Sequence, residues 1–422
     1  MRYLPHTAED RQAMLAKVGV SNIDDLFNNV PKECNLNPAI NLPNTKPEAE
    51  VEHIISHMAA KNHAAQNGPF FLGAGCYYHH IPATVDYIIQ RSEFLTSYTP
   101  YQPEVSQGTL AVIFQFQSMI AALCGQEVAN ASMYDGATAA AEAALMAKRI
   151  TKRENIAIHG VLHPHYKETI ETYLQVIGGK VKVAEPDQNT ACLIVQSPDF
   201  YGNIHAYEAL KAKCQAAGCL LVVVVTEILS LGLLPAPNMA DIVCGEAQSI
   251  GVGMQFGGPH LGFFACRKEF LRQMPGRLCG ATVDADGKRG YVLTLSTREQ
   301  HIRREKATSN ICTNVGLMAT AFTVHMSLLG EKGFKHLARL NHALACEVAD
   351  KIASLKGFEV VTKNFFNEFV VKTPDKAEKY VEELREIGII AGLAIGRHEL
   401  LVAVTETASS EYIERFITEL GK

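Results

Sequence analysis

An acid, Glu227, follows a run of buried-strand residues, Leu221-Val222-Val223-Val224-Val225. A carboxylate there can pair with a protonated ring nitrogen and keep a heteroaromatic cofactor an electron sink. It can also serve solvent or cap a helix, and with no lysine nearby that plainer role is the preferred reading. A second strand pattern, Asp241-Ile242-Val243-Cys244, runs into Glu246-Ala247-Gln248-Ser249. Neither Gln248 nor Ser249 can form an imine. No lysine occurs from Leu221 to Cys266; Lys268 lies past a third strand, and Lys306 is the distant amine that could face a pocket. Asp135-Gly136-Ala137-Thr138 begins an alanine-rich helix. Free N–H groups and the helix dipole favour an anion there. Asp135 is also a good N-cap, and its carboxylate would repel a phosphate. A capped helix and a degenerate phosphate site are equally open readings.

Other polar groups cluster in loops. Gly73–Pro82 carries His79 and His80, and Thr96–Gly108 carries Tyr98, Tyr101, Gln102 and Gln107. Loops dense in aromatic and hydrogen-bonding groups more often belong to binding surfaces than to plain connections. The histidines lack carboxylate-backed ligand spacing, so no metal is expected. Thr297–Asn310 holds Arg303, Arg304, Lys306 and Asn310 and is unusually polar. A charge run is most often a solvated helix; its arginines also suit carboxylates at an interface or substrate path. The eleven cysteines are scattered, without CxxC, and read as reduced thiols of a cytoplasmic protein. Cys312, among small polar groups, leaves a redox role open.

Elements of two kinds must position these groups. The chain has 422 residues, 47% hydrophobic and 20% charged, ordinary for a globular protein with a large core and appended units. A net charge of -5 gives no basic field for nucleic acid. No apolar run reaches the roughly 18 residues that span a bilayer, and Met1–His6 lacks a signal peptide's apolar core. Residues 1–68 read as a helical arm, with Thr7 and Ser21 as N-caps. Residues 69–312 read as a large α/β domain. Its strands lie near 155–159, 181–184, 192–196, 220–225, 241–245 and 261–266. Helices at 108–123 (apolar on nearly all sides, hence buried), 137–150, 165–177 and 206–217 accompany them. Short apolar strands alternating with helices imply a mainly parallel sheet covered on both faces. Residues 313–422 read as a linking helical stretch, 315–329 then 332–355, and a small α+β domain. That domain takes strands at 358–362, 368–372 and 399–404 and helices at 376–386 and 409–420.

In pyridoxal-phosphate enzymes of fold type I, an acid after one strand meets the pyridine nitrogen and a lysine after the next forms the Schiff base. Here the acid position holds Glu227 and the lysine position holds Ser249. The runs Thr99-Pro100-Tyr101-Gln102, Ser106-Gln107-Gly108, Gly257-Gly258-Pro259-His260 and Thr297 through Cys312 resemble the N-terminal half of the glycine cleavage system P protein. The likeness extends from the first helix to the C-terminus, and the length matches subunit 1 of the two-subunit form. The resemblance implies that a partner, P-protein subunit 2, carries the lysine and pyridoxal phosphate in an α2β2 assembly. That assembly decarboxylates glycine and passes the aminomethyl group to lipoylated H protein. It further implies that this chain binds no cofactor itself, its site being degenerate at Asp135, Gly136, Thr138, Glu227 and Gln248. His79, His80, Tyr98, Tyr101, Gln102, Gln107, Arg303, Arg304, Lys306 and Asn310 are expected as interface or pocket-edge groups. A self-sufficient lyase using a distant lysine, and a purely structural subunit, are the rival readings.

Overall fold

The structure is a computed structural model and describes residues 6–34 and 40–422. Residues 1–5 of the Met1–His6 stretch weighed as a signal peptide lie outside them. The chain divides into two compact units, residues 1–63 and 64–422. In the first unit, helices α1 (Ala8–Val18) and α2 (Glu48–Ala59) bury no side chain. Thr7 and Asp10 close a reciprocal capping box on α1. Ser21 is not a cap as expected: Asn22 caps the short 3-10 turn Ile23–Phe27, using Asp25 as its partner.

The second unit is built on a seven-stranded sheet. Its strands are β1 (Val128–Ala129), β2 (Asn155–His159), β3 (Val181–Val183), β4 (Thr190–Gln196), β5 (Leu220–Val225), β6 (Ile242–Glu246) and β7 (Gly262–Cys266). The order is β1-β7-β6-β5-β4-β2-β3, parallel from β6 through β3, with β7 antiparallel to both neighbours. The valine run of β5 explains the layering. Leu221, Val223 and Val225 enter one core with Phe116 and Phe322, while Val222 and Val224 enter the other with Ala140, Ala144 and Ile170. Side chains alternate along a strand, so an unbroken apolar run must be covered on both faces.

The helices of this unit are α3 (Ala83–Ile89), α4 (Ser92–Leu95), α5 (Gln107–Cys124), α6 (Gly136–Thr151), α7 (Pro164–Gln175) and α8 (Tyr207–Ala217), followed by α9 (Gln300–Arg303), α10 (Gly316–Ala353), α11 (Ala377–Glu386) and α12 (Ser410–Leu420). Helix α5 corrects two expectations. It is long and apolar enough to cross a membrane by length and composition, and it is buried on one face only, through Leu110, Ile113, Phe116 and Ile120. Gln115, Ser118 and Ala122 are exposed on its other side. Helix α10 breaks at Gly330, whose backbone is non-helical with φ 57°, between the two helical patterns read from the sequence.

A smaller antiparallel sheet follows, ordered β10-β11-β13-β12 from β10 (Glu359–Val360), β11 (Glu368–Lys372), β12 (Leu393–Gly396) and β13 (Glu399–Ala403). The strand expected over 358–362 shortens to two residues. Phe71 joins this sheet: its N–H donates to Ile390, its carbonyl accepts from Ala403, and its ring stacks on Phe416 at 4.2 Å. A hairpin of β8 (Leu278–Val283) and β9 (Arg289–Thr294) was not expected from the sequence; Asp284–Lys288 turns it.

Candidate functional site

The loop that follows Phe71 carries His79 into the interior, where its side chain is 2% exposed. Its Nε2 lies 3.0 Å from Glu227 Oε2 and its Nδ1 lies 2.8 Å from Glu406 Oε2. Ionised carboxylates only accept, so both ring nitrogens carry hydrogen and His79 is an imidazolium. Burial pulls the imidazole down, but Glu227 and Glu406 outweigh it and raise it to about 10. Burial likewise pushes Glu406 up, and His79 overcomes this to hold it at about 2. Glu406 also accepts from His80 N at 2.8 Å and from Asn341 Nδ2 at 3.0 Å. Four pieces of chain thus meet at one ion cluster: the His79 loop, the end of β5, helix α10 and the turn after β13.

Glu227 caps a turn, the plainer of the roles weighed for it, and pairs with a histidine. Its Oε1 accepts from Leu229 N at 2.9 Å and caps the turn Ile228–Gly232. Its Oε2 faces His79 and accepts from the Ser249 hydroxyl at 3.0 Å. Gln248 donates to the Val252 carbonyl and stands 3.6 Å from Cys76 Sγ. Beside them, Glu368 accepts from Ala74 N at 2.6 Å and from Tyr77 Oη at 2.8 Å, and burial pushes its carboxyl up to about 7.

The start of α6 is closed as tightly. Asp135 Oδ1 accepts from Thr138 N at 2.9 Å, and Glu246 Oε2 accepts from Gly136 N at 3.0 Å. Glu246 also takes N–H groups from Gln248 and Leu261, and burial pushes its carboxyl up. Only glycine fits at 136, because a Cβ would stand 2.0 Å from Tyr166 Oη. Asp135 is the cap the sequence offered; Glu246 is a second acid that sequence reasoning passed over.

Pyridoxal phosphate, the cofactor that the resemblance brings into question, does not fit these residues. Its phosphate would meet two carboxylates where helix N–H groups should be free. Its aldehyde would meet a hydroxyl at position 249, already bonded to Glu227. The acid that should receive the pyridine nitrogen is paired with His79.

The remaining sequence-chosen residues lie apart from this cluster. Tyr98 is exposed and lines a cavity of about 270 Å³ with Thr99, Pro100 and Gly316 at the start of α10. Tyr101 Oη accepts from Arg277, and Gln107 pairs with the backbone of Tyr291 on the hairpin. Gln102 and Asn310 are exposed. Arg303 and Lys306 line a basic cavity of about 220 Å³ with Arg272, Thr297, Arg298 and Thr308; Arg304 is exposed with φ 54°. The Thr297–Asn310 segment is not simply a solvated helix. Only Gln300–Arg303 is α-helical, and the segment is anchored inward. Buried Arg277 pairs with buried Glu299 at 3.3 Å and donates to the Cys312 carbonyl, and Arg298 donates to the carbonyl of Gly276. Sequence spacing gave no signal for Arg277, Glu299, Asn341 or Glu406, because each partner is far away along the chain.

Comparison with known proteins matches residues 1–420 to the family model "Glycine cleavage system P-protein". The chain belongs to that family. "Probable glycine dehydrogenase (decarboxylating) subunit 1" of Maricaulis maris is 52% identical over 444 aligned positions, covering 100% of this chain and 99% of that protein. A crystal structure of glycine decarboxylase (P-protein) in inhibitor-bound form superposes with a TM-score of 0.92 at 40% identity, covering 100% of this chain and 99% of that one. More distant structures share the fold alone. One is a C-DES mutant with glycine covalently linked to its pyridoxal-phosphate cofactor, with a TM-score of 0.60 at 13% identity over 85% of this chain and 97% of that one. The large domain is therefore of fold type I, and the family works within the glycine cleavage system.

Proposed function

We propose that this chain is the cofactor-free subunit of a two-subunit glycine decarboxylase. Its homologous partner, P-protein subunit 2, supplies the Schiff-base lysine and pyridoxal phosphate in a cytoplasmic α2β2 heterotetramer. The assembly removes CO2 from glycine and hands the aminomethyl group to the lipoyl disulfide of H protein. The observation that supports this most strongly is the closed cluster Glu227–His79–Glu406 with the Ser249 hydroxyl bonded to Glu227. Glu227, Ser249 and the N–H groups of Gly136 and Thr138 are already bonded to other protein groups.

In this reading residues 1–68 form an arm that clasps the partner, with 69–312 the large domain and 313–422 the linking helix and small domain. The chain offers the shared site walls and polar edges. Tyr98, Tyr101, Gln102 and Gln107 lie toward the start of α5 and α10, and His80, Arg303, Arg304, Lys306 and Asn310 stand exposed around the body. Arginine and lysine there suit the glycine carboxylate or an acidic carrier surface.

Mixing purified chains tests the proposal. Glycine-dependent exchange of labelled bicarbonate is expected from the pair and from neither chain alone. Exchange by this chain alone would establish the self-sufficient lyase. Arg303→Ala and Tyr98→Ala are expected to lower exchange by the assembled pair; unchanged turnover in both would favour the structural subunit.

A further inference from the structure

Charge does not balance in the His79 cluster. Glu227 and Glu406 bring two negative charges against the single positive charge of His79. Neither carboxylate pairs with a lysine or arginine among the described residues. His325 also feels Glu406, but burial pulls its imidazole down to about 4 and keeps it neutral. Buried charge is ordinarily matched by an opposite one. Donors are short as well. Asn341 is fully buried and gives its Nδ2 to Glu406, while its Oδ1 has no hydrogen-bond partner among the described residues.

Glu406 carries this excess charge to a cavity. Its side chain is 10% exposed, against 2% for His79 and for Glu227. It lines a space of about 400 Å³ together with Phe70, Tyr78, His80, Thr407 and Tyr412, and no lysine, arginine or second acid shares that lining. The rings of Phe70 and Tyr78 stand 6.1 Å apart with planes at 71°, so two walls of the cavity form an aromatic corner. Glu406 Oε1 takes only the His80 N–H, which leaves it able to accept again. The face of an aromatic ring is the negative part of its quadrupole, and cages of such rings hold ammonium groups.

We infer that this cavity binds a small organic ammonium ion, which donates a hydrogen bond to Glu406 Oε1 and lays its carbon atoms against Phe70, Tyr78 and Tyr412. The bound cation balances the charge of the His79 cluster. A bare metal ion suits the cavity less, because hard cations ask for about six oxygen ligands and the lining offers mainly rings. His79 holds Glu406 at about 2, so the carboxylate keeps its charge through the neutral range.

The test is saturation-transfer NMR of the full chain with tert-butylammonium chloride, and with tert-butanol as its neutral isostere, at constant ionic strength and about pH 8, where an ordinary imidazole is neutral. Saturable binding of tert-butylammonium is expected, with a Kd on the order of 1 mM, and none of tert-butanol. Methylammonium chloride should displace the probe, and potassium chloride at the same concentration should not. Tyr412→Leu, which keeps the bulk and removes the ring, should weaken binding by about three- to tenfold, and Tyr412→Phe should restore it. Glu406→Gln should abolish binding; should that variant misfold by circular dichroism, Phe70→Leu gives a second reading with the same expected weakening as Tyr412→Leu. Equal binding of tert-butanol would overturn the inference. So would displacement by potassium as effective as by methylammonium, or unchanged affinity in folded Tyr412→Leu and Phe70→Leu.

Discussion

His79 sits between two carboxylates that pair with no other cation among the described residues. His79→Gln leaves Glu227 and Glu406 buried without it, and breaking such a pair costs about 3–5 kcal/mol. The loss should appear in denaturant melts at neutral pH. The raised histidine contributes stability that is complete below its ordinary pKa and is lost as pH rises through about 10. The depressed Glu406 contributes stability present above its ordinary pKa and lost as pH falls towards about 2. The gap between wild type and variant should therefore be widest near neutrality and close towards either limit. Glu142 behaves oppositely. It is fully buried on α6, and burial pushes its carboxyl up to about 7 against the pull of Arg149 and of the Asn310 backbone N–H. A raised carboxyl gives stability that is complete below its ordinary value and fades as pH rises through about 7. Glu142→Gln is expected to flatten the fall in stability between about pH 4.5 and 7 by about 1–3 kcal/mol. Glu227, Ser249 and Asp135 were legible as chemistry because each sits at a strand end or helix start. Glu246 and Glu406 sit at such places too, yet their partners are Gly136 and His79, which spacing does not connect to them.

The junction of α6 with β6 and α7 leaves no room for a side chain at position 136. Gly136→Ala would put a methyl group 2.0 Å from Tyr166 Oη and 2.9 Å from the Gly245 carbonyl carbon. Backbone cannot yield as a side chain can, so a loss of about 1–3 kcal/mol or more is expected. Tyr166→Phe in the same chain should recover part of that loss, measured as the coupling in a double-mutant cycle. Elements buried on both faces were the easiest to read, because an apolar run such as Leu220–Val225 has no other stable home. The hairpin β8–β9 was not, because its outer half is exposed and no apolar alternation marks it. Helix α5 was misjudged for a related reason: its composition is apolar all round, while the fold covers only one face of it.

For the whole molecule the decisive variant is Ser249→Lys. A new ammonium there would pair with Glu227, and the start of α6 would still be filled by Asp135 and Glu246. Incubation with pyridoxal phosphate and borohydride, read by mass spectrometry, is expected to leave position 249 unmodified. A trapped adduct would show that the missing amine alone, rather than the closed cluster, keeps the cofactor out.

The sequence alone determined the alternation of strands and helices, the absence of an amine between Leu221 and Cys266, and the likeness to one family. Those are local facts of residue type and period. Tertiary structure decided what became of the inherited pocket. It brought Glu406 to His79, Glu246 to Gly136 and Arg277 to the polar segment, across as many as 327 residues. Ion pairs of that span depend on how the chain closes on itself, and hydrophobic periodicity carries no record of which buried charges then face each other.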